Sequence, residues 1–300
     1  MIDGKAFYIP GLLYSLAENI DKTITYDEHE TIRCIRFKLN NLFHKIRCSK
    51  NYTEVKGSGP KFYFGHSVLN LNRYELFLVI KKLSSYFNIN PFKTILFGAE
   101  FSLTCELDFD PGSFVENVIL FRNKVESKNW NNNKGQGLEF TNTQYDFKIY
   151  NASIYCDNGK SYIRIKFVAK ENAYLNEFNI NTLGDLLVVD NLKLAFQSFF
   201  DYYDKILMYD PQIDLSKLKT TDADFLLKYR YLPEWKLNDT HRNTRAGRSK
   251  RFETILNDHI PVTRKQQVRD LLSQKLNELL LISEKEEAEI LNFISECKSS

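Results

Sequence analysis

The sequence predicts an α+β protein: an antiparallel sheet with helices packed on one face, followed by a mostly helical C-terminal region. Two observations lead there. Short runs of alternating apolar and polar residues recur between residues 31 and 168, the period-two pattern of half-buried strands. Stretches with apolar residues at three-and-four spacing interrupt them and then take over after residue 170, so helices cover one side of the sheet and close the chain. The change of pattern divides the chain into an α+β part, 1–212, and a helical, partly basic part, 213–300.

In order along the chain, TIRCIRFKL and KFYFG within 31–64 read as strands, with GSGP at 57–60 as the turn between them. Residues 71–87 carry Leu76, Val79, Ile80 and Leu83 on one helical face, and Asn90-Pro91 stops the pattern. A strand follows at 94–107. Pro111-Gly112 is a turn, and 113–125 reads as a helix capped by Ser113. The polar stretch SKNWNNNKGQG at 127–137 reads as a loop. Strands return at 144–150 and 161–168, joined by a hairpin-like turn at Asp157-Asn158-Gly159. A long helical tract ends at Pro211. Thr263 with Gln266, and Ser283 with Glu286, fit the capping box that opens a helix.

Three hundred residues with 43% hydrophobic and 26% charged content make a folded protein with a large core. The net charge of +3 demands no polyanionic partner by itself. The five cysteines are odd in number and lack C-x-x-C spacing, which predicts free thiols in a cytoplasmic protein. No apolar run reaches the roughly 18 residues of a membrane span, and no signal peptide is apparent. The five histidines lack metal-ligand spacing, which argues against zinc, and neither a P-loop nor a G-x-S-x-G elbow is present.

Three groups of residues carry candidate chemistry. Tyr145, Lys148 and Tyr150 form a tyrosine–lysine cluster on one predicted strand. A phenol ionises near pH 10 and needs help to act as a nucleophile. Lys148, two residues from Tyr150, shares its face, whereas Tyr145 falls on the opposite face of a regular strand. Tyrosine is also an ordinary strand residue. Glu100 interrupts the apolar run LFGAEFSL, where a carboxylate needs a partner. It fits either a magnesium or manganese site or a salt bridge to Arg164 or Lys166. The run HRNTRAGRSKR, with Arg242, Arg245, Arg248 and Arg251, is the one dense basic segment. It reads as a DNA-binding segment or as a solvated helix face.

Three blocks together resemble the replication initiators of filamentous phages and related bacterial plasmids, of the gene-two and gene-ten type. Ser58-Gly-Pro-Lys61-Phe-Tyr-Phe-Gly65-His66-Ser67 is similar to the family's serine–lysine–glycine segment. Phe97–Thr104 is similar to the strand with an arginine-x-acid pattern, with Glu100 as the acid and Gly98 at the arginine position. Phe147-Lys-Ile-Tyr150, Tyr162-Ile-Arg164-Ile-Lys166 and Asn179-Ile-Asn-Thr-Leu-Gly-Asp185-Leu are similar to the K-I-Y-D-K strand, the L-R-x-E strand and the helix start that follows.

The resemblance spans roughly residues 31–210 in matching order. It implies a replication-initiator nuclease-like fold. It further implies a metal-dependent endonuclease and strand transferase that opens rolling-circle replication at a plasmid or phage origin in a bacterial cell. Tyr150 would be the nucleophile, Glu100 a ligand of Mg2+ or Mn2+, and Arg164 a phosphate contact, with Lys61 and His66 on the same functional face. The partners implied are origin DNA, single-stranded or supercoiled, and a host helicase or polymerase. The chain departs from the pattern at Asn151-Ala152, where the family has Asp and Lys, and at Lys166, where it has an acid. An ammonium there opposes metal binding. These departures open the alternative of a non-cleaving DNA-binding relative that regulates replication.

Overall fold

The computed structural model describes residues 2–10, 17–18, 20–65, 70–132, 135–155, 158–236 and 242–299. The chain opens with five strands: β1 (Ile2–Pro10), β2 (Lys22–Tyr26), β3 (Ile32–Leu39), β4 (Leu42–Arg47) and β5 (Tyr52–Ser58). Two helices follow, α1 (Gly59–Phe64) and α2 (Arg73–Phe87), and then the long strand β6 (Leu96–Glu106). Next come α3 (Pro111–Glu116), β7 (Val118–Phe121), β8 (Lys128–Asn132), β9 (Gly135–Thr141), β10 (Tyr145–Asn151) and β11 (Tyr162–Ala169). The rest is mainly helical: α4 (Asn172–Leu175), α5 (Val189–Tyr203), β12 (Ile206–Met208), α6 (Thr220–Tyr229), α7 (Pro233–Lys236), α8 (Arg242–His259), α9 (Arg264–Leu280) and α10 (Glu284–Ser299).

Among the described residues, ten strands form one sheet in the order β2-β3-β4-β5-β1-β6-β11-β10-β9-β8, and every pairing is antiparallel. Strand alternation sorts its side chains by face. Phe101, Leu103, Ile165, Phe167, Phe147 and Ile149 all point into one core, where Leu76 and Ile80 of α2, Phe196 and Phe199 of α5, and Val268 and Leu272 of α9 meet them. Each such side chain contributes roughly 1.5–3 kcal/mol on burial. The opposite face carries Glu100, Arg164, Lys166, Lys148 and Tyr150. The α+β architecture with helices on one face is therefore as predicted.

Several local expectations differ. KFYFG is helical, not a strand: Ser58 accepts from the Lys61 amide, Pro60 sits in the first turn and Gly65 closes the helix at φ 83°. The helix expected over 113–125 stops at Glu116. Asp110 rather than Ser113 caps it, and the apolar Val118–Phe121 becomes a strand paired with β12. Within the stretch read as a loop, residues 128–132 form β8 and residues 135–137 start β9. Its polar composition suits an edge strand. The turn predicted at 157–159 begins outside the described residues. Ser283 and Glu286 form the reciprocal capping box as predicted, whereas at Thr263 only half of it forms: the threonine accepts from the Gln266 amide, and the Gln266 side chain donates to Asp270 instead.

The boundary at residue 212 does not coincide with a break between cores. Val268, Leu272, Leu276 and Leu279 of α9 and Ile290 of α10 belong to the same cluster as the sheet. Arg73 of α2 pairs with Glu287, and Tyr74 donates to Glu289 at 2.8 Å. A second cluster joins Ile119, Leu120 and Leu207 of the small β7–β12 sheet to Leu226, Trp235 and Phe252 of α6, α7 and α8. No helix among the described residues is long and apolar enough to cross a membrane.

Candidate functional site

Register places the candidate residues in rows across the polar face. Tyr150 of β10 lies opposite Arg164 of β11 and Gly137 of β9, and Arg164 lies opposite Thr104 of β6. One row along, Lys148 faces Lys166 and Glu139, and Lys166 faces Ser102. Glu100 follows on β6, opposite Val168. Three antiparallel strands thus bring Tyr150, Lys148, Arg164, Lys166 and Glu100 to one face.

Charge pairs organise this half of the face. Lys166 donates to Glu100 at 3.3 Å, and its ammonium lies 6.0 Å from the centroid of the Tyr150 ring. Lys148 pairs with Glu139 at 3.1 Å, Lys160 with Glu106 at 2.8 Å, and Lys170 with Asp146 at 2.6 Å. Arg164 is buried, 6% exposed, and donates to Ser102 at 3.4 Å. Of the two readings of Glu100, the salt bridge to Lys166 is the one formed. Among the described residues no group of three or more His, Cys, Asp or Glu could hold a metal. A carboxylate already bound to an ammonium is a poor start for Mg2+ or Mn2+, which need several oxygen donors. The described residues do not fit such a site.

Aromatic rings frame Tyr150. Trp130 of β8 lies 6.3 Å away, and Tyr155 lies edge-on at 6.4 Å. Gly137 makes this arrangement possible, because a Cβ there would overlap both the Trp130 ring and Cβ of Tyr150. Trp130, Gly137 and Glu139 escaped sequence reasoning because the polar 127–137 stretch hid their strands. The alternation of Leu138 and Phe140 was the available signal.

Tyr145 does not join this group. On a regular strand it points to the opposite, helix-covered face, 5% exposed among Phe121, Phe167, Tyr174 and Tyr202. Burial pushes its phenol above the ordinary range, although Arg122 donates to its hydroxyl at 2.5 Å and pulls the other way. Arg122 and Asn123 hold the tight turn after β7 at φ 51° and 60°, a conformation costly for residues with a side chain. Arg245 and Ser249 of α8 brace that turn, donating to the Asn123 carbonyl at 3.0 Å and to its side chain at 2.8 Å. Tyr145, Arg122 and Arg245 line one hollow on the helical side.

The other basic residues predicted for DNA are distributed differently. Arg251 pairs with Asp222 at 2.8 Å and stacks 4.2 Å over Phe225, while Arg248 lies 5.2 Å over Tyr229. These contacts fasten α8 to α6. Arg242 begins α8 and its side chain lies outside the described residues, as does His66. Lys61 is exposed on α1. Asn70, four residues past His66, accepts from the Thr104 amide at 3.0 Å and donates to the Thr104 carbonyl at 2.9 Å. The chain after α1 therefore returns to β6 at the row that holds Arg164 and Tyr150.

No family model and no curated protein matches the chain. Among solved structures, one described as the rolling circle replication initiator protein from Geobacillus stearothermophilus is similar at 11% identity, over 83% of this chain and 96% of that chain, with a TM-score of 0.39.

Proposed function

We propose that this protein initiates rolling-circle replication by nicking and rejoining one DNA strand through Tyr150. The observation that carries the reading is the convergence of Tyr150, Arg164, Lys166 and Glu100 on one face of β10, β11 and β6. Those are the positions that the collinear motifs single out. In the reaction the Tyr150 phenol oxygen attacks a backbone phosphorus and the bond to the 3′ oxygen breaks. The phenol proton leaves to water and the 3′ oxygen takes one from water. The 5′ phosphate stays esterified to Tyr150 until a 3′ hydroxyl reverses the step. Arg164 and Lys166 supply positive charge where the phosphorane gathers negative charge. No step is assigned to a metal. The test is a supercoiled plasmid carrying the DNA that encodes and flanks this chain, incubated with Mg2+, Mn2+ or chelator. Nicked circles with protein on the 5′ end support the reading; nicking by Tyr150→Phe equal to wild type removes it.

A second reading is favoured by the pairs Lys166–Glu100 and Lys148–Glu139, which neutralise two lysines on the face that carries Tyr150. It makes the chain a non-cleaving DNA-binding relative that regulates replication. Salt-sensitive DNA binding without any adduct supports it. Restoration of nicking by Lys166→Glu then locates the loss.

A further inference from the structure

The polar face continues beyond β6 into a region of different character. On β3, β4 and β5 the side chains of Arg36, Lys38, Lys45, Arg47 and Lys56 share this face with the single carboxylate of Glu54. Arg47 takes that carboxylate at 2.7 Å. Among the described residues, Arg36, Lys38, Lys45 and Lys56 enter no salt bridge. Aromatic rings are interleaved with them. Phe43 is 60% exposed, with the Lys38 ammonium 5.7 Å from its centroid. Tyr8 stacks on Phe97 at 4.3 Å and meets Tyr52 at 4.7 Å, and Lys56 lies 5.0 Å over Phe97. A bulge in the β1–β6 pairing at Ala6/Phe7 turns Phe97 onto this face.

An exposed ring costs solvation unless something covers it, and unpaired cations around it favour a polyanion with flat apolar faces. Single-stranded nucleic acid has both, because its bases are unstacked and its phosphates are regularly spaced. Duplex DNA hides its base faces and offers only phosphates and groove edges. We infer that the β3–β5 face is a second binding surface, for single-stranded DNA, with a base stacked on Phe43 and phosphates held by Arg36, Lys38, Lys45 and Lys56. From β4 to β10 it is five strand spacings, or roughly 24 Å, so this surface is separate from the row around Tyr150. It grips a strand at a distance from the cut, and it stands or falls apart from the nicking chemistry.

The test is fluorescence anisotropy with a labelled 20-residue deoxythymidine oligonucleotide across a salt series, with a duplex of equal length as competitor. Phe43→Ala is expected to weaken single-strand binding about tenfold. The double variant Lys38→Ala/Lys45→Ala is expected to reduce the slope of log K against log salt by about 1.4. These side chains are solvent-facing, and an unchanged melting temperature confirms that the variants are folded. Equal binding by Phe43→Ala, or a duplex that competes as well as the single strand, overturns the inference. Failure of the nicking reading looks different: no covalent adduct forms, while single-strand binding remains sensitive to Phe43.

Discussion

The two halves of the polar face are built from the same residue types and use them differently. Around Tyr150, four lysines each hold a carboxylate: Lys166 with Glu100, Lys148 with Glu139, Lys160 with Glu106 and Lys170 with Asp146. On β3–β5, Arg36, Lys38, Lys45 and Lys56 have no such partners among the described residues and surround an exposed ring. Internal pairing fixes side chains in place, which suits a site that must aim a phenol at one phosphorus atom. Unpaired charge attracts a polyanion without fixing its register, which suits a surface that holds a strand of any sequence. On the proposed reading, the contrast separates positioning from grip on a single sheet.

The largest expected effect on this contrast lies at Gly137. Gly137→Ala drives a methyl group into Trp130 and Tyr150, a cost of about 1–3 kcal/mol, and should reduce adduct formation more than tenfold while leaving oligonucleotide binding intact. Chemical denaturation and an adduct gel read the two parts. A second effect of similar size belongs to the helix-covered side of the β4 half. His44 is 2% exposed, stacked on Phe37 at 4.6 Å, and burial lowers its pKa from 6.5 to about 4. The unfolded chain takes up this proton near pH 6.5 and the folded protein only near pH 4, so stability falls as pH drops through that window. The loss approaches about 3 kcal/mol, and His44→Phe should flatten this acid limb in melts between pH 7 and 4.

Smaller effects separate the halves further. Lys166→Met leaves Glu100 without its ammonium at a partly exposed site and should cost about 1 kcal/mol, whereas Lys45→Met should change stability by less than about 0.5 kcal/mol. DNA affinity reverses the order: Lys45→Met weakens salt-dependent binding and Lys166→Met acts on the adduct. Tyr145→Phe removes the acceptor of the Arg122 hydrogen bond, costs about 1 kcal/mol, and should leave nicking unchanged.

Periodicity made most of the architecture legible. The apolar faces of α2, β10 and β11 could be read directly, because Leu76/Val79/Ile80/Leu83 and Phe147/Ile149 bury as their spacing demands. Alternation also put Tyr150, Lys148 and Tyr145 on their correct faces. The failures have local causes. KFYFG alternates like a strand, yet Ser58 and Pro60 start a helix that a five-residue pattern cannot reveal. The asparagine-rich 127–137 stretch looks like a loop because an edge strand can be polar, and with it went Trp130 and Gly137. Basic density in α8 was legible, but not that Arg245 and Arg251 also brace neighbouring segments, contacts that form only in the folded chain. The dispersed cations of β3–β5 form the denser surface only once three strands are paired, which no linear window displays.

We propose Tyr150 as the nucleophilic tyrosine on one face of this sheet. Denaturing gels of wild type, Tyr150→Phe and Tyr145→Phe with 5′-phosphate-tracked plasmid DNA test it most directly. A covalent adduct is expected for wild type and Tyr145→Phe and none for Tyr150→Phe. An adduct that survives Tyr150→Phe, or one that disappears only with Tyr145→Phe, contradicts it.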